Sequence, residues 1–265
     1  MKNSTLKLGS QYKTSRARAF TLVECLAVTS IIALLLSILL PVMAKVRQQA
    51  IKVVCQAQLR SWSAAFAAYT TDNKNHFPLG TVNFNVDIET AHQSVWIGAL
   101  KKYYQNPEMR RCPATLRTDT SSTAKGVWEY AKNMARYLNP GDYGSYGING
   151  WIETIVPGIN DLARPNLAAA NAWQRMDLAK NMDKIPVLLD AVEFFAFPVQ
   201  GENPSPTLKS RASIVATSQM GRFGIPRHPS SAVNSLFMDS SVRSVKVKEL
   251  CSLKWYKSYN TNFVR

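Results

Sequence analysis

Residues 16 to 44 read RARAFTLVECLAVTSIIALLLSILLPVMA, and the fold depends on how that run is taken. From Cys25 to Ala44 twenty residues pass without a charge. At about 1.5 Å per residue they make about 30 Å of helix, the thickness of a bilayer's hydrocarbon core, so the run predicts a membrane span. A secretory signal peptide is the rival reading, but its apolar core is about 7 to 15 residues long and ends at a small-residue cleavage site. Here the run is longer and passes through Pro41 and Met43 into a further helical pattern. Lys2, Lys7, Lys13, Arg16 and Arg18 precede the span with no acid among them, and only Lys45, Arg47 and Lys52 follow closely. That bias puts the N-terminus in the cytoplasm and the bulk of the chain on the other side of the membrane.

The whole chain has 265 residues, 46% hydrophobic and 18% charged, a composition that excludes wholesale disorder. Its 32 Lys and Arg against 17 Asp and Glu give a formal charge of +15, and residues 1 to 19 alone hold five of those bases. What remains is moderately basic and lacks the clustered Lys/Arg stripe interleaved with aromatics that a nucleic-acid groove binder needs, which argues against a nucleic-acid partner.

Past the span, Lys45 to Asn73 continues without Gly or Pro, with Ile51, Val54, Trp62, Ala65, Phe66 and Tyr69 at three- and four-residue spacing once Gln58 is counted as a polar gap in the stripe. This predicts an amphipathic continuation of the same helix with one stripe against a globular head. Residues 20 to about 72 then form a rod of about 80 Å. Pro78 and Gly80 close it. The domains expected are a basic leader (1–19), a transmembrane helix (20–44), its amphipathic continuation (45–75) and a head (76–265). Within the head, 94–105 and 167–182 read as helices, 139–151 as glycine-rich turn and strand, and 184–198 as a buried strand bounded by Pro186 and Pro198. Residues 232–247 read as a hairpin turning at Asp239-Ser240-Ser241. The fold class is α+β, a long N-terminal helix on an antiparallel sheet.

Glu24 has no place in a simple anchor. On spacing alone two readings stand: a boundary residue in the headgroup region, or a carboxylate inside the membrane that needs a cation.

At this point the residues carry a resemblance. The basic leader, the run AFTLVECLAV and the long apolar helix resemble the signal of type IV prepilins and type II secretion pseudopilins, with Ala19 where the family has Gly. The resemblance implies that prepilin peptidase cuts between Ala19 and Phe20 and methylates the new amine of Phe20. It implies further that Glu24 neutralises the Phe20 ammonium of a neighbouring subunit and so sets the register of a filament. Pro41 matches the family's helix-kinking proline. The partners implied are other pilin or pseudopilin subunits, an inner-membrane assembly platform and membrane lipid. The location implied is the bacterial inner membrane, with the head periplasmic, and then a filament.

The order VCQAQLRSWSAAFAAYTTDNKNHFP, RCPATLR, SYGING, IPVLLD, RHPSSAVNSLFMDSSVRSV is also similar to a family of large pilin-like proteins that carry His, nine residues and Asp-Gly near the C-terminus. Here ten residues separate His228 from Asp239, and Ser240 replaces the Gly. That family lends architecture and location more than activity.

No catalytic motif appears: His76, His92 and His228 are far apart in sequence, and no His-Glu-x-x-His, Gly-x-Ser-x-Gly, phosphate loop or dinucleotide fingerprint occurs. Arg227-His228 and Asp239 read as structural, and Asp190 and Asp239 do not make the oxygen cluster of a calcium site, so no enzyme activity, cofactor or metal is expected. Cys25 lies in the span. Of the other three cysteines, Cys55 and Cys112 are the pair expected to bridge, closing a loop of about 57 residues, with Cys251 left over. The two functional classes open at this stage are a filament subunit and a membrane-anchored adhesion or ligand-binding module that uses the same export route, with DNA or another anionic polymer among the ligands open to it.

Overall fold

The computed structural model describes residues 21–80, 88–115, 128–129, 138–155, 169–204, 218–225 and 227–262. The chain divides into two compact units, one ending at Val46 and the other starting at Arg47. A single helix, α1 (Leu22–Asp72), contributes to both.

In the first unit, every side chain of residues 21 to 46 is exposed, including Leu22, Ile31, Leu35 and Leu40. This part of α1 is long and apolar enough to cross a membrane. Its hydroxyls are satisfied within the helix: Thr29 Oγ1 donates to the Cys25 carbonyl at 3.0 Å, Ser30 Oγ to Ala27 at 2.7 Å and Ser37 Oγ to Leu34 at 2.7 Å. Polar side chains that bond back to their own helix leave nothing unpaired in hydrocarbon. The helix runs through Pro41 without interruption.

In the second unit, α1 buries Cys55, Leu59, Trp62, Ala65, Phe66 and Thr70, a stripe at three- and four-residue spacing. Val54, placed on that stripe by the sequence, is exposed, because Cys55 one position on takes the inward direction. The helix ends where Lys74 and Asn75 adopt left-handed backbone, followed by an isolated bridge between His76 and Arg175.

The head's strands are β1 (Trp128–Glu129), β2 (Tyr143–Gly144), β3 (Tyr146–Asn149), β4 (Pro186–Asp190), β5 (Phe195–Ala196), β6 (Ala232–Phe237) and β7 (Val242–Lys246). β1 and β2 pair by themselves, and the other five form a sheet in the order β5-β3-β4-β6-β7. Both faces of this sheet are covered. Alternate residues go to opposite sides, so Leu188 and Leu236 join the core beneath α1, while Leu189, Val233 and Phe237 join a second core with Trp151, Phe197, Phe223 and Trp255. Burial on both faces leaves every position of β4 and β6 buried, where a one-sided sheet would alternate.

The sheet is antiparallel except that β5 runs parallel to β3. The predicted single strand over 184–198 breaks after Asp190, and the chain reverses through Ala191–Phe194 to the far side of β3. Ala191 N–H donates to the Ser145 carbonyl at 2.8 Å and Val192 N–H to Arg222 at 3.0 Å, which fixes the crossing.

Two predicted helices are corrected. Over 94–105 the chain forms the end of α2 (Ile88–Ser94), a short α3 (Trp96–Ala99) and a 3-10 turn (Lys101–Tyr103), separated at Val95, whose backbone is extended. Over 169–182 no α-helix forms: Gln174 and Asn181 are left-handed, Trp173 N–H donates to the Trp151 carbonyl, and Phe77 N–H takes the Gln174 carbonyl. Bonds to distant backbone replace those a helix would make.

Candidate functional site

Two constellations stand out, one in each unit. At the start of α1, the Thr21 backbone N–H and hydroxyl both donate to Glu24 Oε2, at 2.8 and 2.7 Å, and the Glu24 N–H donates to Thr21 Oγ1 at 3.2 Å. Thr at the cap with Glu three residues later is a capping box, in which the two residues satisfy each other's orphan groups. The only acid in the first 71 residues therefore has hydrogen-bond partners within its own chain, a role the sequence reading missed although the Thr-x-x-Glu spacing signalled it. Ala19, Phe20 and the basic leader lie outside the described residues.

The second constellation is buried in the head. Cys55 and Cys112 form a disulfide with Cα atoms 5.3 Å apart, joining α1 to the loop after the 3-10 turn Pro107–Arg110. Cys112 N–H donates to Ser145 Oγ at 2.7 Å, and Arg110 pairs with Asp142. Against the disulfide lies His228, its Nε2 3.5 Å from Cys112 Sγ and 3.1 Å from Asp190 Oδ2. The side chains of His228 and Asp190 are fully buried. Asp190 Oδ2 also accepts from the Asn234 N–H at 2.7 Å, and Arg227 Nη1 stands 3.5 Å from Asp190 Oδ1.

Arg227 further donates to the carbonyls of Ser145 at 2.9 Å and Ala191 at 2.6 Å. Burial pulls the Arg227 pKa below its ordinary value, partly offset by the Asp190 charge. Burial, reinforced by that same carboxylate, pushes the Tyr146 hydroxyl well above the usual phenol range. An aspartate buried this deeply is tolerated because a guanidinium and a backbone N–H complete it.

The other residues considered from sequence do not converge. Asp239 is exposed at the β6–β7 turn, accepting from Ser241 N–H at 3.0 Å and Ser241 Oγ at 2.6 Å, and Ser240 takes the positive φ of 68° for which Gly is usual. His92 lies in α2. Cys25 is exposed on α1, and Cys251 is partly buried with its Sγ 3.7 Å from the Glu202 carbonyl. Among the described residues, the potential metal-ligand group is Cys55, Cys112 and His228. Sequence brought none of these three together with Asp190, since they come from α1, a loop, the segment before β6 and the end of β4.

No protein-family model, curated protein or solved structure matches this chain. The architecture, a long N-terminal helix apolar in its first half and a mixed β-sheet, is consistent with a pilin-like fold.

Proposed function

We propose that this chain is a pseudopilin-like structural subunit. On this reading prepilin peptidase cuts between Ala19 and Phe20 and methylates the new amine. An inner-membrane assembly platform then draws the subunit from lipid, and its helix packs among those of other pilin or pseudopilin subunits in a secretion pseudopilus or pilus-like filament. The role is mechanical, with no chemical step assigned to the head.

The observation that carries the reading is the first half of α1, apolar on all sides and exposed along its whole length. A helix apolar all round needs cover, and lipid and sister helices both supply it. Glu24 provides the register. Its carboxylate is costly in a low-dielectric helical core unless a cation meets it, and the Phe20 ammonium of a neighbour does so at one stagger.

The test is Glu24→Ala, followed by electron microscopy and crosslinking. Ordered polymer is expected to disappear while the membrane-anchored monomer persists. Unchanged polymer would remove the mechanism.

A further inference from the structure

We infer that Cys55, Cys112 and His228, with Asp190 beside them, form a redox-gated site for a soft divalent cation such as Zn²⁺: empty while the disulfide is closed, competent once it is reduced. Two thiolates and an imidazole are the donors such an ion prefers. The three side chains are buried, and their ligand atoms all lie within 4.8 Å of one another.

The spacing fits. With Zn–S at about 2.3 Å and Zn–N at about 2.0 Å, the edge between sulfur and nitrogen in a tetrahedral site is about 3.5 Å. His228 Nε2 lies 3.5 Å from Cys112 Sγ, and Asp190, whose Oδ2 is 3.1 Å from the same nitrogen, stands beside the three donors and outside their cluster. On reduction the two sulfurs need to part only to about 3.8 Å.

Charge also balances in both states. With the disulfide closed, the Asp190 carboxylate faces the Arg227 guanidinium. With the disulfide open, two thiolates and Asp190 carry three negative charges, matched by a dication and Arg227. The imidazole directs its contacts at the sulfur and the carboxylate; its Nδ1 is buried without a partner among the described residues.

Opening takes two electrons and two protons from a dithiol, which becomes a disulfide itself while Cys55 and Cys112 become thiols. The ion then displaces the two thiol protons to solvent, and the imidazole proton moves from Nε2 to Nδ1. Because the site is closed to solvent, the ion enters as the head folds or opens. The metal then takes over the link between α1 and the head wherever the disulfide cannot form.

The experiment uses the full chain in detergent, reduced with dithiothreitol, desalted without oxygen and titrated with Co²⁺ alone. One equivalent is expected to bring thiolate-to-cobalt charge transfer in the near ultraviolet and the visible bands of tetrahedral cobalt, both abolished by Zn²⁺ and absent in the oxidised chain. His228→Ala should shift the visible bands, and Asp190→Asn should weaken binding by about 10- to 100-fold. If reduction loosens the head, cobalt must restore its near-ultraviolet circular dichroism together with the absorption. No thiolate band at one equivalent, a spectrum indifferent to His228→Ala, or cobalt uptake without recovered dichroism in a loosened head overturns the inference.

Discussion

Thr21 and Glu24 cap each other at the first turn of α1, with the Glu24 carboxylate accepting both the Thr21 backbone N–H and its hydroxyl. The box keeps the carboxylate hydrogen-bonded in a single subunit. On the proposed route a neighbour's ammonium competes for the same oxygen, replacing neutral donors by a charged one, and charge-assisted hydrogen bonds are the stronger.

The first prediction separates capping from assembly. Thr21→Val removes the hydroxyl and leaves the rest of the helix intact, at a cost of about 1 kcal/mol to the first turn. Amide hydrogen exchange at residues 22 to 25 should quicken in detergent micelles, while the head's denaturation midpoint stays put. Exchange rates unchanged at the first turn would show that the box contributes nothing.

The buried stripe of α1 sets a second contrast. Leu59 is fully buried in the core beneath the helix, whereas Val53 on the same helix is 58% exposed. Leu59→Ala should destabilise the head by about 2 to 5 kcal/mol. Val53→Ala should stay within about 0.5 kcal/mol. Urea unfolding followed by tryptophan fluorescence reads both, and equal effects would contradict the seam.

The disulfide spans a sequence separation of 57 residues. In the chain-entropy account its loss raises the freedom of the unfolded chain, and the double variant Cys55→Ser with Cys112→Ser should lose about 4 kcal/mol. Thermal unfolding of the oxidised chain and the double variant, side by side, gives the comparison. A shared midpoint would mean that the bridge does not constrain the unfolded state.

Asp72 closes α1 by accepting from the Tyr103 hydroxyl at 2.7 Å and the Lys102 ammonium at 3.4 Å. The Tyr103 bond first, then that of Lys102, holds its carboxyl below the ordinary value of 3.8. A carboxyl depressed in the folded state stabilises above its unfolded pKa and loses that contribution as pH falls through its folded one. Asp72→Asn should therefore be less stable than the parent at about pH 6, with the gap closing at about pH 2. The effect is small because the pair is solvated. A gap that widens on acidification would reverse the assignment.

What the sequence made plain was whatever depends on neighbours along the chain. Twenty uncharged residues, then apolar positions at helical spacing, are enough to write α1 from Leu22 to Asp72, and Asp239-Ser240-Ser241 between two apolar runs is enough to write the β6–β7 hairpin. What it concealed depends on partners far away. Residues 169–182 have helical composition, yet Trp173 and Gln174 give their backbone bonds to Trp151 and Phe77. The parallel pairing of β5 with β3 comes from a reversal at Ala191–Phe194 that no local pattern encodes. His228 and Asp190 each look isolated in sequence and meet only because β4, β6 and the loop of Cys112 converge on α1.

The central claim concerns two groups on different subunits, and a membrane-permeant carbodiimide joins them if they touch. Filaments grown from a mixture of isotopically light and heavy subunits are treated with the reagent, digested and weighed. The account predicts peptides in which the Phe20 amine of one isotope is amide-linked to the Glu24 carboxyl of the other. Intact filaments whose Glu24 stays unreacted, or couples only within its own chain, would contradict it.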